Sequence, residues 1–302
     1  LGPESDAWRR VVGEAAARPE LRQALDELAR RDAARAPPAP LVFAAGRADA
    51  VFDDELVSPR DLVKRLGYDP LAVKEGSALH ADDPGKLNTT VRQLRPKGRA
   101  PVVFKGAAAD IIRNELFVRK AARAFFGRYF ETPGALAVLD GFDSYMVMEE
   151  APGTKSWTRP TLSREQRAAL ALLVHTFGLG DMNPGNVLYA KGGEVWLIDF
   201  EQALSRRRPN HNRLPDGRIL QEMPWVDAEE PPPVEDFLPA VKEWRAFFLA
   251  PATQREVERM LASSGFSADE TARAMAVFRA NAADLEGTIQ ADVDFADGLR
   301  RR

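Results

Sequence analysis

The sequence contains no cysteine, and this absence excludes several kinds of chemistry at once. Without a thiol the chain has no disulfide, no zinc site built from thiolates and no cysteine nucleophile, although its redox compartment is left undecided. Long hydrophobic runs are also missing, because no stretch approaches the roughly 20 apolar residues that a membrane helix needs. The N-terminus lacks the basic-then-apolar pattern of a signal peptide. We therefore expect no integral membrane segment and a cytoplasmic site of action.

Charge of one sign is not in excess either. The 42 Lys and Arg residues nearly balance the 45 Asp and Glu residues, and a net charge of −3 gives no general attraction to nucleic acid. The chain does have length and apolar content: it has 302 residues, of which 45% are hydrophobic. That is enough for two lobes that each bury a core. We expect a globular protein that does not bind nucleic acid.

The organisation along the chain changes near residue 150. Residues 18–36 have the spacing of an amphipathic helix, and the Pro-rich segment 37–40 ends it, so residues 1–40 are predicted to be a helical extension and linker. Residues 41–150 contain short β-branched stretches, whereas residues 151–302 contain mostly helical patterns. The sequence therefore predicts an α+β protein with a β-rich N-lobe and a mainly helical C-lobe.

Two adjacent elements of the N-lobe carry charged residues. The segment PVVFKG is typical of a short strand, and this strand carries Lys105. The helix that follows is predicted to be capped by Asp110 and to close at Gly127. Glu115 lies in the first half of this helix, on an otherwise largely apolar pattern. A strand lysine is thus predicted next to a helical glutamate.

Later segments predict further elements. ALAVLDG and SYMVMEE indicate two strands, and a capping box from Ser163 to Gln166 begins a helix that is apolar all round. NVLYAKGGEVWLID has the pattern of a hairpin. Three amphipathic helical stretches follow, around residues 235–250, 252–264 and 268–284.

Three spaced side chains in the segment GLGDMNPGNVLYAKGGEVWLIDFEQAL have oxygens that can bind a metal ion: Asp181, Asn186 and Asp199. Asp199 ends an apolar strand, where an ionised carboxylate is costly unless it is paired or bound to a metal. Asn186 offers a neutral oxygen to a second metal ion, and Asp181 lies in a loop from which it can face an acceptor hydroxyl. Phosphoryl transfer needs these groups together with a cation on the phosphates. The D-x-x-x-x-N spacing and the IDFE segment match the catalytic loop and the D-F-G motif of protein kinases.

Each of these residues taken alone is more often structural than catalytic, because Asp and Asn are common in turns. Their combination with an upstream lysine and glutamate favours catalysis. A strand lysine followed by a helix with an inward glutamate can form the ion pair that holds the α- and β-phosphates of ATP. Lys105 and Glu115 fit these positions, although Asn114 stands beside Glu115.

These motifs together resemble the protein-kinase-like superfamily over roughly residues 100–204. GDMNPGNVLY, VWLIDFEQA and YMVMEEAPG are similar to the aminoglycoside phosphotransferase and choline kinase group. FKGAAADIIRNE, with the same catalytic-loop segment, also resembles the phosphatidylinositol 3- and 4-kinase branch. The resemblance implies a two-lobed protein-kinase-like fold that binds ATP and Mg²⁺ in the cleft between the lobes.

The resemblance also implies a role for each matching position. Catalysis and phosphate binding would use Lys105, Glu115 as its partner and Asp181 as the base, and Asn186 and Asp199 would hold Mg²⁺. The hinge backbone at Met148, Glu149 and Ala151 would meet adenine.

Two features depart from these families. Small-molecule kinases usually have a histidine two residues before the catalytic aspartate, but this chain has Leu179 there, and the nearby His175 is interpreted as a structural helix residue. A proper Gly-rich loop over the phosphates is also missing. Gly76 and Ser77 in KEGSALHADDPGK are the best candidates for that loop, and an ordinary hairpin turn is the alternative.

The acceptor is less defined by the sequence than the nucleotide site. The run from Arg206 to Arg208 fits either an anionic acceptor or a solvated loop, and no A-P-E motif of ordinary protein kinases follows it. We predict a kinase that transfers the γ-phosphate of ATP to a hydroxyl of a small molecule or lipid head group. The alternatives are an atypical Ser/Thr protein kinase, including a secreted effector acting in a host cytosol, a pseudokinase scaffold, and a nucleotidyl transferase.

Overall fold

The computed structural model describes residues 51–73, 76–78, 90–140, 144–151, 154–155, 162–180, 182, 184–190, 193–205 and 234–300. The predicted helical extension at 1–40, the catalytic-loop residue Asp181 and the basic run at 206–208 lie outside these residues.

A six-stranded mixed sheet forms the N-terminal part of the described chain. Its strands are β1 (Glu55–Leu56), β2 (Gly76–Ala78), β3 (Thr90–Leu94), β4 (Val102–Gly106), β5 (Ala135–Val138) and β6 (Tyr145–Glu149), in the order β1-β5-β6-β4-β3-β2. β1 and β5 are parallel and the other neighbours are antiparallel. Strand β4 lies inside the sheet, where Lys105 pairs with Val91 on one side and with Met146 on the other. The predicted strands at PVVFKG, ALAVLDG and SYMVMEE are confirmed.

Two helices accompany this sheet. Helix α1 (Pro59–Leu66) begins where the Ser58 side chain accepts a hydrogen bond from the Asp61 backbone N–H, and helix α2 (Ala109–Phe126) follows β4. The prediction that Asp110 caps α2 is wrong, because Ala108 is the N-cap and makes no side-chain cap bond. Asp110 lies instead in the first turn, where its charge is favourable near the positive end of the helix dipole. The predicted end at Gly127 is confirmed.

A smaller sheet and five helices form the rest of the described chain. The sheet contains β7 (Thr154–Lys155), β8 (Val187–Tyr189) and β9 (Val195–Leu197), in that order, and a 3₁₀ turn (Pro184–Asn186) precedes β8. The helices are α3 (Arg164–Phe177), α4 (Val234–Leu249), α5 (Pro251–Ser263), α6 (Ala268–Ala283) and α7 (Leu285–Arg300). The capping box at Ser163, the hairpin and the three predicted C-terminal helices are confirmed. Helix α7 was not predicted.

Helix α2 belongs to both parts of the molecule. Its first half packs under the sheet, where Ile112 and Leu116 join the same buried cluster as Met146 of β6. Its second half lies in the main core of the C-terminal helices, where Phe126 stacks on Trp244 with ring centroids 5.1 Å apart. The helix is therefore held on two sides along its length. The fold is α+β, with a mixed sheet and a helical C-terminal region.

Within the part of the chain that the structure describes, no helix combines the length and apolar character needed to cross a membrane.

Candidate functional site

The site is centred on the side chain of Lys105, which is 3% exposed in the interior of β4. Its Nζ lies 2.5 Å from Oε2 of Glu115 in α2 and 2.9 Å from Oδ1 of Asp199 after β9. Nζ also lies 2.7 Å from Oε1 of Glu201. The ammonium donates hydrogen bonds to Glu115 and Asp199 and forms a third ion pair with Glu201. The predicted residues Lys105, Glu115 and Asp199 are thus brought together, and Glu201 joins them.

The Glu115 carboxylate is buried between two cations. Its Oε2 meets Lys105, and its Oε1 lies 2.6 Å from Nη2 of Arg119, one helical turn further along α2. Burial alone would raise the pKa of Glu115, but the positive charges of Lys105 and Arg119 outweigh burial and lower the pKa to about 2. Glu115 is therefore ionised throughout the physiological pH range.

Burial and neighbouring charges also set the pKa values of Lys105 and Glu201. Burial alone would lower the pKa of Lys105, but Glu115, Asp199 and Glu201 more than offset this and raise it above its ordinary value. Burial raises the pKa of the Glu201 carboxyl, and the neighbouring carboxylates add to this effect while Lys105 opposes it. The lysine is thus a permanent cation.

The β8–β9 hairpin brings Asn186 and Asp199 to the same end of the smaller sheet. Val187 pairs with Leu197, and beyond this pair the Ile198 N–H donates to the Asn186 carbonyl oxygen at 3.0 Å. Asp199 follows directly with φ = 63°, a left-handed conformation that costs a non-glycine residue about 1–3 kcal/mol. Strain of this size persists where the surrounding structure requires a particular side-chain direction. In this case the strained residue is the one whose carboxylate reaches Lys105.

Carboxylate and amide oxygens of this kind are suitable ligands for Mg²⁺, which usually binds one or two protein carboxylates together with phosphate oxygens. Asp199 supplies a carboxylate whose side chain is 37% exposed, whereas Asn186 is a buried residue that ends the 3₁₀ turn before β8, and its role as a ligand stays a prediction. The cluster contains the cations Lys105 and Arg119 against three carboxylates, so its excess charge is negative. The Asp199 carboxylate and the negative excess charge are suited to a divalent cation, and binding of Mg²⁺ stays a prediction.

The loop that contains Asp181 begins against the segment that follows Asp199. The Gly180 N–H donates to the Gln202 carbonyl at 2.6 Å, and the Ser205 N–H donates to the Gly178 carbonyl at 3.1 Å. Gly178 has φ = 63°, and a Cβ atom there would lie 2.1 Å from the Ser205 carbonyl oxygen. Only glycine fits at this crossing. Asp181 itself is outside the described residues.

The residues predicted to meet adenine lie at the end of β6. Met148 is buried in the strand, Glu149 is the last residue of the strand, and Ala151 lies two residues beyond it. Glu149 is tied to the start of β5, because its N–H donates to the Gly134 carbonyl and its Oε2 accepts from the Gly134 N–H, both at 3.0 Å. The side chain of Glu149 thus faces the protein, and its contact with adenine stays a prediction.

Gly76 and Ser77, the predicted phosphate-loop residues, lie in strand β2 rather than in a turn. They pair antiparallel with Leu94 and Gln93 of β3, next to the strand that carries Lys105. Residues 79–89, which connect β2 to β3, lie outside the described residues. The position of a phosphate-binding loop therefore stays a prediction.

The position of His175 supports its interpretation as a structural residue. It is buried in α3, and its Nε2 lies 2.5 Å from Oδ2 of Asp292 in α7. This contact joins two helices of the C-terminal core.

Arg119 and Glu201 are the site residues that sequence reasoning missed. Arg119 stands four positions after Glu115, a spacing at which helical side chains meet, and Glu201 directly follows the Asp-Phe pair. Both signals were present in the sequence. These signals do not by themselves place Arg119 and Glu201 in a buried cluster, because charged residues at such positions are usually solvated and only tertiary contacts bury them.

No protein-family model matches the chain, and no curated protein matches it.

Proposed function

We propose that the chain is an ATP- and Mg²⁺-dependent phosphotransferase of the protein-kinase-like superfamily. One observation carries the proposal: the buried ammonium of Lys105 contacts Glu115, ten residues later, and Asp199, 94 residues later. A buried lysine held by a helical glutamate, next to a carboxylate suited to a metal, is what phosphoryl transfer needs around the phosphates of ATP. Any one of these residues alone would support a structural role equally well.

Each residue has a role in this proposal. Lys105 would bind the α- and β-phosphates, and Glu115 would keep its ammonium in place. Asn186 and Asp199 would hold Mg²⁺, which when bound neutralises negative charge on the phosphates. Asp181 would orient the acceptor hydroxyl and take its proton.

The proposed reaction is a displacement of ADP from the γ-phosphorus by the acceptor oxygen. The acceptor oxygen forms a bond to the γ-phosphorus, the bond between that phosphorus and the β–γ bridging oxygen breaks, and ADP leaves. The hydroxyl proton passes to the carboxylate of Asp181. Catalysis then consists mainly of positioning and of charge stabilisation by the side chains around Lys105.

We propose a hydroxyl of a small molecule or lipid head group as the acceptor, and the cytoplasm as the place of action. The backbone from Met148 to Ala151 would bind adenine, since it continues the strand next to β4 and so lies on the same sheet as Lys105. Gly76 and Ser77 would lead into the loop over the phosphates, because β2 is separated from β4 only by β3.

The test uses ATP labelled at either the α- or the γ-phosphate, incubated with the protein and a fractionated cell lysate. We expect the γ-label alone to enter a small-molecule or lipid fraction, and we expect Lys105→Met to abolish this transfer. Lys242→Met is the matched control, because Lys242 is exposed on α4. Label in the protein fraction would instead favour a protein kinase, and transfer of the α-label would favour a nucleotidyl transferase. Failure to bind ATP would contradict the proposal.

A further inference from the structure

Arg119 is one of the most deeply buried charged residues of the described chain, at 1% exposure. Its Nη2 lies 2.6 Å from Oε1 of Glu115 and 2.8 Å from the sulfur of Met148. Its Nη1 donates to the Pro133 carbonyl oxygen at 2.7 Å, and its guanidinium carbon lies 5.8 Å from the centroid of the Phe200 ring. One side chain therefore contacts α2, the segment just before β5, strand β6 and the residue that follows Asp199.

A buried guanidinium at this position needs a physical reason. Its neighbours on α2, Val118 and Ala122, are apolar and fully packed. An apolar side chain of similar volume would fill the same space without the large cost of removing a charge from water. Arginine offers what an apolar residue lacks, namely a planar group that donates in several fixed directions at once. The contacts of Arg119 use this property, because they join three separate elements.

The contact with Glu115 divides that carboxylate between two partners. One oxygen faces Lys105 and the other faces Arg119. If Lys105 turns a donor toward a phosphate, Glu115 keeps a second cation that compensates its charge. Asp199 and Glu201 have no such second anchor among the described contacts of the cluster. A phosphate that approaches Lys105 would therefore displace one of these two more readily than Glu115.

We propose that Arg119 is a positioning residue that keeps Glu115 beside Lys105, so that the Lys105–Glu115 pair is permanently assembled and does not form and break with movement of α2. This inference rests on the proposed function, because it concerns how the same phosphate site is maintained. The Met148 contact also ties the pair to the strand that precedes the predicted adenine hinge. Nucleotide binding at the hinge and phosphate binding at Lys105 then share one rigid support.

The other polar contacts of α2 are consistent with a fixed helix. Arg113 Nη1 lies 2.8 Å from Oε2 of Glu270 in α6, and Lys120 Nζ lies 2.9 Å from the Ser263 carbonyl in α5. These contacts are partly exposed and are individually weak. Arg119 differs from them because it is buried and reaches the catalytic carboxylate directly.

The test compares Arg119→Met with Arg123→Met, using kcat and KM for ATP together with ATP affinity in the absence of acceptor. Arg123 is the matched control, because it lies one turn further along α2 and contacts Asp54 and the Thr132 carbonyl but makes no described contact with Glu115. A general loss of folded protein lowers the apparent kcat and leaves KM unchanged, because the remaining folded molecules bind ATP normally.

We expect Arg119→Met to raise both KM and the dissociation constant for ATP by about tenfold, and Arg123→Met to change neither. Arg119→Lys restores a positive charge beside Glu115 but lacks the planar guanidinium whose N–H groups reach three elements. We therefore expect its KM and dissociation constant for ATP to lie between those of the wild type and Arg119→Met. Arg119→Lys also serves as the test if Arg119→Met does not fold.

Wild-type affinity in a folded Arg119 variant, or equal losses in the Arg119 and Arg123 variants, would overturn the inference and leave the proposed function in place. Absence of ATP binding by the wild-type protein would overturn the proposed function itself, and with it the inference.

Discussion

Because Glu115 is buried, we predict that removing its charge destabilises the protein more than removing the charge of its partner Lys105. The substitution Glu115→Gln keeps the shape of the side chain and removes its charge. Lys105 then still has Asp199 and Glu201. Arg119 loses its described ion pair and keeps hydrogen bonds to the Pro133 carbonyl and the Met148 sulfur, together with a weaker electrostatic interaction with the Asp54 carboxyl. A buried charge left without its partner costs about 3–5 kcal/mol.

The pKa of Glu115 points in the same direction. It is lowered from 4.5 to about 2, which at about 1.4 kcal/mol for each pH unit corresponds to roughly 3–4 kcal/mol in favour of the ionised carboxylate. Because the folded-state pKa is the lower one, this stabilisation is fully present above pH 4.5 and is lost as the pH falls from 4.5 toward 2. The stability difference between wild type and Glu115→Gln is thus expected to be constant near neutral pH and to shrink in acid.

The contrasting substitution is Lys105→Met. It leaves Glu115 paired with Arg119, and the carboxylates of Asp199 and Glu201 are 37% and 26% exposed, so water can solvate them. We therefore expect a cost below about 2 kcal/mol, since partly exposed ion pairs contribute little.

Urea unfolding at pH 7 without nucleotide measures both variants. We expect the Glu115→Gln midpoint to fall by about 1–3 M, and the Lys105→Met midpoint to fall clearly less. Glu243→Gln on the exposed face of α4 is the control, with an expected change within about 0.5 kcal/mol. If Glu115→Gln proved no more destabilising than Lys105→Met, the idea that Arg119 shares the charge of Glu115 would be refuted.

Three further predictions concern the surroundings of the cluster. Glu201→Gln should raise ATP affinity in the absence of Mg²⁺ several-fold in binding titrations, because a neutral amide competes less well for the lysine ammonium; equal or weaker affinity would contradict this role. Asp181→Asn should keep ATP affinity but lower turnover by about 10²–10⁴-fold in steady-state kinetics, and near-normal turnover would remove it as the base. Gly178→Ala should destabilise the protein in urea by clearly more than Gly193→Ala, since both have positive φ but only Gly178 would place Cβ against the Ser205 carbonyl; equal losses would contradict this reasoning.

Local patterns were sufficient to predict the elements that carry the site. The β-branched run before Lys105 formed β4, the Ser163 capping box began α3, and the apolar stretches of NVLYAKGGEVWLID formed the hairpin before Asp199. Each of these signals lies within a few residues along the chain, and the physics that fixes it is equally local.

Two features of the helices were not predicted correctly: helix α7 was missed, and the start of α2 was placed at the wrong residue. Helix α7 contains Gly287 and Gly298, which lower helix propensity, and it follows α6 with only Asp284 between them. Packing against the other C-terminal helices, with Leu285 and Ile289 in the main core, outweighs this propensity. Helix α2 begins at Ala109 without a side-chain cap, so the sequence signal at Asp110 indicated the correct region and the wrong position.

Contacts between distant segments were not predictable in detail. Glu201 reaches Lys105 across almost a hundred residues, and it follows the left-handed turn at Asp199, a conformation that aspartate adopts only occasionally. Burial of Arg119 likewise contradicts the usual exposure of arginine and follows only from the elements packed around it. The sequence predicted that Lys105, Glu115 and Asp199 meet, but not that Arg119 and Glu201 join them.

The most direct test of the account is calorimetric titration of ATP with and without Mg²⁺, comparing the wild-type protein with Asp199→Asn. Asp269→Asn in the first turn of α6 is an exposed control. We expect Mg²⁺ to strengthen ATP binding to the wild type and to the control, and Asp199→Asn to remove this gain while the protein stays folded. Full Mg²⁺-dependent binding by Asp199→Asn, or no ATP binding by the wild type, would contradict the account.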